Sequence, residues 1–275
     1  MNNFIFFLLS GSFTLATGYK TEAPPISENK TLTYKNIEER SVSEEEFPYQ
    51  IRIQEVGSFV CGGSLITVKG SYFILTAAHC VRNVPASELT VVAGEVDRYK
   101  VSGNEQTRQV TRIVIHRGYS YPEFYNDIAL LAIDKPFTVN SYVSPIPLPT
   151  QGQKTTGDVI VTGWDFAKRT EFKTTRFLNQ MRLTIIDDNI CRLSFMFRFQ
   201  WVPDSMLCTG IGYFVWDNSN PCDKASGGSM KAVNGGYLAG ISSWKPTCRS
   251  NPLLGMNTEV SYFVDWIEHE ATLLL

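Results

Sequence analysis

After Phe47 the chain alternates apolar and polar positions in short runs. The alternation begins at Pro48–Ile53, and β-favouring runs then recur at Tyr72–Leu75, Leu89–Val92, Ile113–Ile115, Ile128–Ile133, Val159–Val161 and Tyr237–Ala239. Many short strands separated by turn residues predict an antiparallel all-β fold, and this pattern leaves a sandwich and a barrel equally open. Near the end, Tyr262, Phe263, Trp266 and Ile267 fall at helical spacing. They predict a packed terminal helix over Ser261–Glu270.

The first 46 residues have a different composition. Phe4–Leu9 is apolar and Ala16–Gly18 supplies small residues, a pattern that predicts a secretory signal peptide over residues 1–18. A membrane span needs about 20 apolar residues, and polar residues from Ser10 onward break this run, so we predict none. Residues 19–46 are polar and acidic, which is typical of a mobile pro-segment or extension. Asn29 begins a glycosylation sequon, and residues 47–275 form the predicted folded domain.

Composition narrows the class of protein. The chain has 275 residues, 43% of them hydrophobic and 19% charged, with a net charge of -2. That content supports one sizeable core and predicts neither nucleic acid nor an anionic membrane as a partner. Six cysteines behind a signal peptide predict disulfides in an extracellular protein, although their spacing leaves the pairing open. Metal-binding Cys-x-x-Cys and His-x-x-x-His spacings are absent from the sequence, so we predict no metal and no cofactor.

Three stretches carry candidate chemistry. They are Thr76-Ala77-Ala78-His79-Cys80, Asn126-Asp127-Ile128-Ala129-Leu130-Leu131 and Cys222-Asp223-Lys224-Ala225-Ser226-Gly227-Gly228-Ser229. In content and order they resemble the catalytic motifs of the trypsin/chymotrypsin family of serine proteases. The similarity runs from about Phe47 to His269 through Val161–Trp164, Met206–Gly210 and Ser242–Trp244.

This resemblance implies a double six-stranded antiparallel β-barrel with a C-terminal helix. It implies a triad of His79 as general base, Asp127 as its orienting carboxylate and Ser226 as nucleophile. The backbone N–H groups of Lys224 and Ser226 are the implied oxyanion donors. The implied disulfides are Cys61–Cys80, Cys191–Cys208 and Cys222–Cys248.

The nucleophile stretch departs from the family form Cys-x-Gly-Asp-Ser-Gly-Gly-Pro at Lys224, Ala225 and Ser229. In that family the aspartate binds a new amino terminus made by activation cleavage, and Ala225 cannot. The glycines expected at that terminus are missing too, around Asn36. Losing both partners of a buried ion pair can be nearly neutral for stability, so we expect the fold to survive without this zymogen-type switch.

The oxyanion and substrate positions also differ. Lysine keeps the N–H that the family glycine supplies at position 224, but loss of one oxyanion donor typically costs about 10²–10³ in turnover. Two hypotheses remain for Lys245, which also replaces a glycine: its side chain narrows the pocket, or it points into water. The resemblance assigns the rest of the pocket to Asn220, which is neutral where the family sets specificity, and to Ser243, Trp244 and Gly255.

Two classes of function follow. We favour a secreted, monomeric protease homologue with weak or no catalysis that acts by binding a protein partner, such as a protease, its substrate or its inhibitor. The alternative is an active serine-type endopeptidase working through His79, Asp127 and Ser226. A secreted structural module that merely retains Ser226 is a third possibility. The sequence names neither partner nor substrate, and it leaves cleavage at Lys35 or Arg40 open.

Overall fold

The computed structural model of the protein describes residues 40–164, 175–196, 201–210, 226–244 and 254–275. The first strand, β1 (Arg40–Ser41), pairs antiparallel with Asn179 and Gln180. Strand pairing therefore begins before Phe47, inside the segment predicted as an extension. The predicted signal peptide and the Asn29 sequon lie outside the described residues, and the boundary at Phe47 stays a prediction.

Six strands close the first barrel, with β2 bonded to β3 and β5 at the two sides of its seam. They are β2 (Gln50–Glu55), β3 (Ser58–Val68), β4 (Ser71–Thr76), β5 (Leu89–Ala93), β6 (Gln106–Ile115) and β7 (Ala129–Ile133). Ile51 and Ile53 are fully buried while Arg52 between them is not, as a period of two requires.

The second barrel also has six strands and closes where β8 pairs with β9. Its strands are β8 (Asp158–Gly163), β9 (Asn179–Ile185), β10 (Met206–Gly210), β11 (Ser229–Ala232), β12 (Leu238–Trp244) and β13 (Leu254–Glu259). Val159, Val161, Met181, Leu183 and Met230 form its core. The predicted double six-stranded barrel is thus confirmed, and the choice between sandwich and barrel is resolved.

Tight hairpins set the register of the first barrel. Val56 and Gly57 alone join β2 to β3, with φ angles of 47° and 80°. Lys69 and Gly70 join β3 to β4 with φ angles of 50° and 80°. Positive φ at both turn residues is the geometry whose twist matches that of the flanking strands. Glycine adopts it freely, whereas Val56 is a β-branched residue held in a strained conformation.

The α-helices among the described residues are four to ten residues long. The four-residue α1 (Ala78–Val81) follows β4, and α2 (Asp188–Met196) follows β9. The chain ends with a 3-10 helix over Val260–Phe263 and then α3 (Val264–Leu273). The predicted terminal helix is confirmed, shifted toward the C-terminus, and it buries Ile267 and Ala271 against the barrel strands. Among the described residues, no helix is long and apolar enough to cross a membrane.

Hydrogen bonds join the two barrels through buried polar groups, which we call the polar seam. It comprises Gln50 with Thr162, Ser64 with Ser229, and the Gly62 N–H with the Ser226 carbonyl. Thr162 Oγ1 donates to Gln50 Oε1 over 2.5 Å, and both residues are buried. Buried polar groups are costly without partners. The seam therefore favours the one relative position of the two barrels in which all of these groups are paired.

Candidate active site

His79 and Asp127 meet at the mouth of the first barrel. The short helix α1, entered from the buried strand β4, carries His79. Asp127 lies just before β7 and is fully buried. Its Oδ2 lies 2.7 Å from His79 Nδ1, and its Oδ1 accepts the backbone N–H of His79 over 2.8 Å. Both carboxylate oxygens therefore hold the same residue, one through its ring and one through its main chain.

The second barrel completes the surroundings of Asp127. Ser243, near the end of β12, donates its hydroxyl to Asp127 Oδ2. Thr258 on β13 donates its hydroxyl to the Asp127 carbonyl over 2.8 Å. A buried carboxylate needs such donors, because an isolated charge is expensive to remove from water. Sequence reasoning missed both bonds: Ser243 was predicted only as a pocket residue, and Thr258 falls in no motif.

The described part of the nucleophile stretch is a turn that leads into β11. The Ser226 carbonyl accepts the Gly62 N–H over 2.9 Å, and the Gly227 N–H donates to the Ser242 carbonyl over 2.8 Å. Gly227 has a φ of +68°, and a Cβ there would lie 2.6 Å from both Gly62 O and Thr76 Oγ1. Glycine is required at this position both by backbone conformation and by lack of space. The turn is therefore bonded to both barrels.

An aromatic face borders the histidine. The Phe124 ring lies edge-on to the His79 ring with centroids 5.6 Å apart, and it also contacts the Tyr121 ring at 5.4 Å. The Arg82 guanidinium stacks over Tyr121 at 3.8 Å from the ring centroid. Deeper in the same loop, burial raises the pKa of Tyr119 to about 12, and the nearby Asp127 carboxylate adds to the rise. The Phe124 ring therefore contacts the His79 ring from one side.

Only part of the predicted pocket can be located. Ser243 and the Trp244 backbone lie on β12, and Gly255 lies on the adjacent strand β13. The structure thus brings these predicted pocket residues onto neighbouring strands next to Asp127. Asn220, Lys224, Ala225 and Lys245 lie outside the described residues.

Two disulfides lie within the described residues, and both have the implied pairing. Cys61–Cys80 joins β3 to the helix that carries His79, and Cys191–Cys208 joins α2 to β10. The third implied pair, Cys222–Cys248, lies outside the described residues. Side-chain atoms of Cys61, His79 and Cys80 lie within 4.8 Å of one another. Because the two sulfurs are bonded to each other, neither is available as the thiolate that binds a metal.

The two remaining histidines lie away from the Asp127 carboxylate. His116 packs edge-on to Phe263 and Trp266, with both ring centroids at 5.2 Å, and its Nδ1 accepts the Gly118 N–H. Burial lowers the pKa of His116, with a smaller lowering effect from Arg117. His269 is exposed on α3. His116 is therefore a packed histidine, and His269 is a surface one.

Two closed antiparallel barrels, with a histidine held by an aspartate that takes hydrogen bonds from both, define the class of the two-barrel serine proteases. The family model described as Trypsin matches residues 36–267 of this chain. Trypsin-1 of Astacus astacus is 37% identical over 235 residues, which cover 82% of this chain and 95% of that protein. The chain belongs to the trypsin family.

Other relatives are more distant. Coagulation factor IX of Cavia porcellus is 33% identical over 229 residues, covering 80% of this chain and 76% of that protein. Trypsin V-B of Rattus norvegicus is 31% identical over 225 residues, covering 82% of this chain and 85% of that protein. The similarity therefore covers most of the chain and most of each relative.

Proposed function

We propose that this protein is a secreted serine-type endopeptidase of low turnover that acts on protein substrates. The pairing of buried Asp127 with half-buried His79 supports the proposal most directly. A carboxylate that accepts a hydrogen bond from Nδ1–H keeps the proton of a neutral imidazole on Nδ1 and leaves Nε2 as a proton acceptor. That is the tautomer a general base needs.

In the proposed reaction His79 takes the hydroxyl proton of Ser226 while Ser226 Oγ attacks the substrate carbonyl. The proton then passes from His79 to the amine as the peptide C–N bond breaks, which leaves the acyl group as an ester on Ser226. Water, deprotonated by His79, attacks this ester; the C–O bond to Ser226 breaks, Ser226 regains its proton from His79 and the acid is released. Asp127 stays ionised and stabilises the imidazolium that forms in between. The N–H groups of Lys224 and Ser226 are the proposed donors to the oxyanion.

Low turnover is proposed because of three substitutions. Ala225 replaces the aspartate of the amino-terminal ion pair, Lys224 replaces the glycine that supplies an oxyanion donor in the family, and Lys245 replaces the family's pocket glycine. Removal of one oxyanion donor alone lowers turnover by about 10²–10³. Asn220 adds no negative charge, so we propose no preference for lysine or arginine before the cut bond. Secretion is proposed from the amino-terminal pattern and from the disulfides, which persist outside the cytosol.

A fluorophosphonate probe tests catalysis directly, because it reacts only with an activated serine. We expect the folded protein to be labelled at Ser226, more slowly than a trypsin by roughly the loss of one oxyanion donor, about 10²–10³. Ser226→Ala is the control, and it should lose all labelling. Folded protein that stays unlabelled, both intact and after limited cleavage near Lys35, would exclude the endopeptidase.

Binding without cutting is the second candidate, and Ala225 specifically favours it. A protein of this class that lacks the activation ion pair can still present its surface to a protease, a substrate or an inhibitor. In that case Ser226→Ala leaves the biological effect intact. If the protein acts by cutting, the same variant abolishes the effect while its unfolding temperature stays unchanged.

A further inference from the structure

We propose that Ser229 is a positioning residue, whose hydroxyl holds the nucleophile turn against the first barrel. This inference rests on the proposed function, because it concerns how Ser226 is kept in place when no amino-terminal ion pair can form beside it. The family motif has proline at position 229, which has no hydroxyl. Serine is therefore a substitution that adds a donor where Ala225 removes an acceptor.

The contacts of Ser229 cross between the barrels. Ser229 begins β11, and its Oγ lies 2.6 Å from Ser64 Oγ on β3 of the other barrel. It also donates to the Gly63 carbonyl over 3.1 Å. Because the Ser229 proton goes to the Gly63 carbonyl, the Ser64 hydroxyl is the donor in its bond with Ser229. Each of the two hydroxyl groups therefore donates one hydrogen bond. Both serines are fully buried, where water cannot replace a lost partner.

Ser64 and Ser229 lie close along the sequence to the two partners of the backbone bond that holds Ser226. Ser229 follows Ser226 by three residues, and Ser64 follows Gly62, whose N–H donates to the Ser226 carbonyl over 2.9 Å. The serine pair and the backbone bond thus form two links between β3 and the nucleophile turn. The tight fit between Gly62 and Gly228, where a Cβ on Gly62 would lie 3.1 Å from Gly228 Cα, leaves little room for the turn to shift. Two links and a close approach define a position more narrowly than one bond does.

The consequence concerns activation. An ion pair made only after cleavage orders the turn conditionally, whereas the Ser64–Ser229 link is present as soon as the barrels dock. We therefore expect the turn from Ser226 to Ser229 to be held equally well before and after cleavage near Lys35. Reactivity toward a fluorophosphonate should differ by less than threefold between the two forms.

Amide hydrogen exchange tests the positioning role without requiring any catalysis. In Ser229→Ala we expect the Gly62 and Gly227 amides, which donate to Ser226 and Ser242, to exchange roughly threefold to tenfold faster, the equivalent of one net hydrogen bond. Ser64→Ala removes the other hydroxyl and should produce the same change. Ser229→Thr keeps a hydroxyl and should restore part of the protection. Ser261→Ala is the matched control, because Ser261 is equally buried but bonds to Glu259.

Chemical labelling adds a second readout. The Ser226 labelling rate should fall threefold to tenfold in Ser229→Ala, while acylation of His79 by diethyl pyrocarbonate stays constant, since His79 is held by Asp127 and not by the turn. A general loss of structure would raise His79 acylation as well. Unchanged exchange at Gly62 and Gly227 in both serine variants overturns the proposal, and so does an equal effect of Ser261→Ala. A parent protein without any labelling refutes the endopeptidase, while the exchange data still decide the role of Ser229.

Discussion

Asp127 holds His79 twice, through a 2.7 Å contact with the ring Nδ1 and a 2.8 Å bond from the backbone N–H. The second bond fixes the main chain from which the ring projects, so ring and backbone are oriented by one carboxylate. Asp127→Asn keeps the shape but puts an amide where two acceptors are needed, and it favours the wrong tautomer of His79. We expect the Ser226 labelling rate to fall roughly 10³–10⁴-fold.

The unfolding temperature separates this effect from simple damage. Asp127→Asn should still unfold cooperatively, because Ser243 and Thr258 continue to contact position 127. An Asp127→Asn protein that labels at the parental rate would contradict the assignment of His79 as the base.

Ser243→Ala removes the hydroxyl that reaches Asp127 from the second barrel. A hydrogen bond to a charged group is worth about 1.5–3 kcal/mol, so we expect a comparable loss of unfolding free energy and a labelling rate lowered about tenfold. Denaturant unfolding and probe kinetics measure the two effects. Ser194→Ala is a suitable control, since the hydroxyl of this half-buried residue donates to the Ile190 carbonyl on its own helix. Equal results for the two variants would mean that the contact with Asp127 contributes nothing.

Gly227→Ala combines a left-handed backbone with a steric clash. The left-handed conformation costs roughly 1–2 kcal/mol for a non-glycine residue, and overpacking adds about 1–3 kcal/mol. Gly152 has a similar φ of +71° but open space around it, so Gly152→Ala reports the backbone cost alone. Thermal unfolding should show a clearly larger loss for Gly227→Ala. Equal losses would mean that Gly62 and Thr76 move aside freely.

Val56→Asn should stabilise the protein. Val56 is 79% exposed and lies at a φ of 47°. Its left-handed backbone conformation therefore costs free energy that burial of its side chain does not offset. Asparagine tolerates that conformation, and Asn-Gly is the preferred pair for such a turn. We expect a gain of about 1 kcal/mol in unfolding free energy. Lys69→Asn in the twin hairpin should gain less, because lysine is not β-branched; a larger gain there would contradict this account.

The raised pKa of Glu259 makes the stability of the protein depend on pH. Burial raises the pKa of this carboxyl above its ordinary value of 4.5, and Lys154 offsets the rise only in part. The folded protein therefore keeps a proton that the unfolded chain has already lost, so this group lowers stability as the pH rises from about 4.5 through the raised pKa. Glu259→Gln should lose less stability across that interval than the parent does.

Denaturant unfolding at pH 4.5 and pH 7 measures that difference. Each unit of pKa shift corresponds to about 1.4 kcal/mol, and a glutamine at 259 can still accept from Ser261. Glu268→Gln, on the exposed side of α3, is the control for removing a carboxylate. Parallel pH curves for the parent and Glu259→Gln would show that Glu259 does not titrate differently in the folded state.

Local sequence patterns were enough to predict the strands and the motifs around the candidate site. Ile51 and Ile53 alternate with polar residues, and the residues around His79 and Asp127 form contiguous motifs that can be read without a structure. Gly62 and Gly63 are different, because glycine disfavours strands, yet both lie within β3. A Cβ on Gly62 would lie 3.1 Å from Gly228 Cα of the second barrel, whereas a Cβ on Gly63 would lie 3.0 Å from the Ile74 side chain of the first barrel.

Contacts between distant parts of the chain were not predictable in the same way. Ser243 reaches Asp127 across 116 residues, and Thr258 reaches it across 131. Neither serine nor threonine carries a local signal for such a role, since both are common on strands and turns. The Ser64–Ser229 bond depends on how the two closed barrels dock. The alternation of apolar and polar residues predicts strands but not that docking.

The polar seam also makes the candidate site a reporter of assembly. The strands of each barrel are hydrogen-bonded to one another in a closed ring. Each barrel can therefore satisfy its own strand hydrogen bonds before the other barrel has folded. The carboxylate that orients His79 nevertheless takes donors from both halves, and the nucleophile turn belongs to the half that lacks the histidine. A molecule whose two barrels have folded but docked incorrectly should therefore not react with the fluorophosphonate probe. Probe labelling then measures the fraction of correctly docked molecules in a preparation.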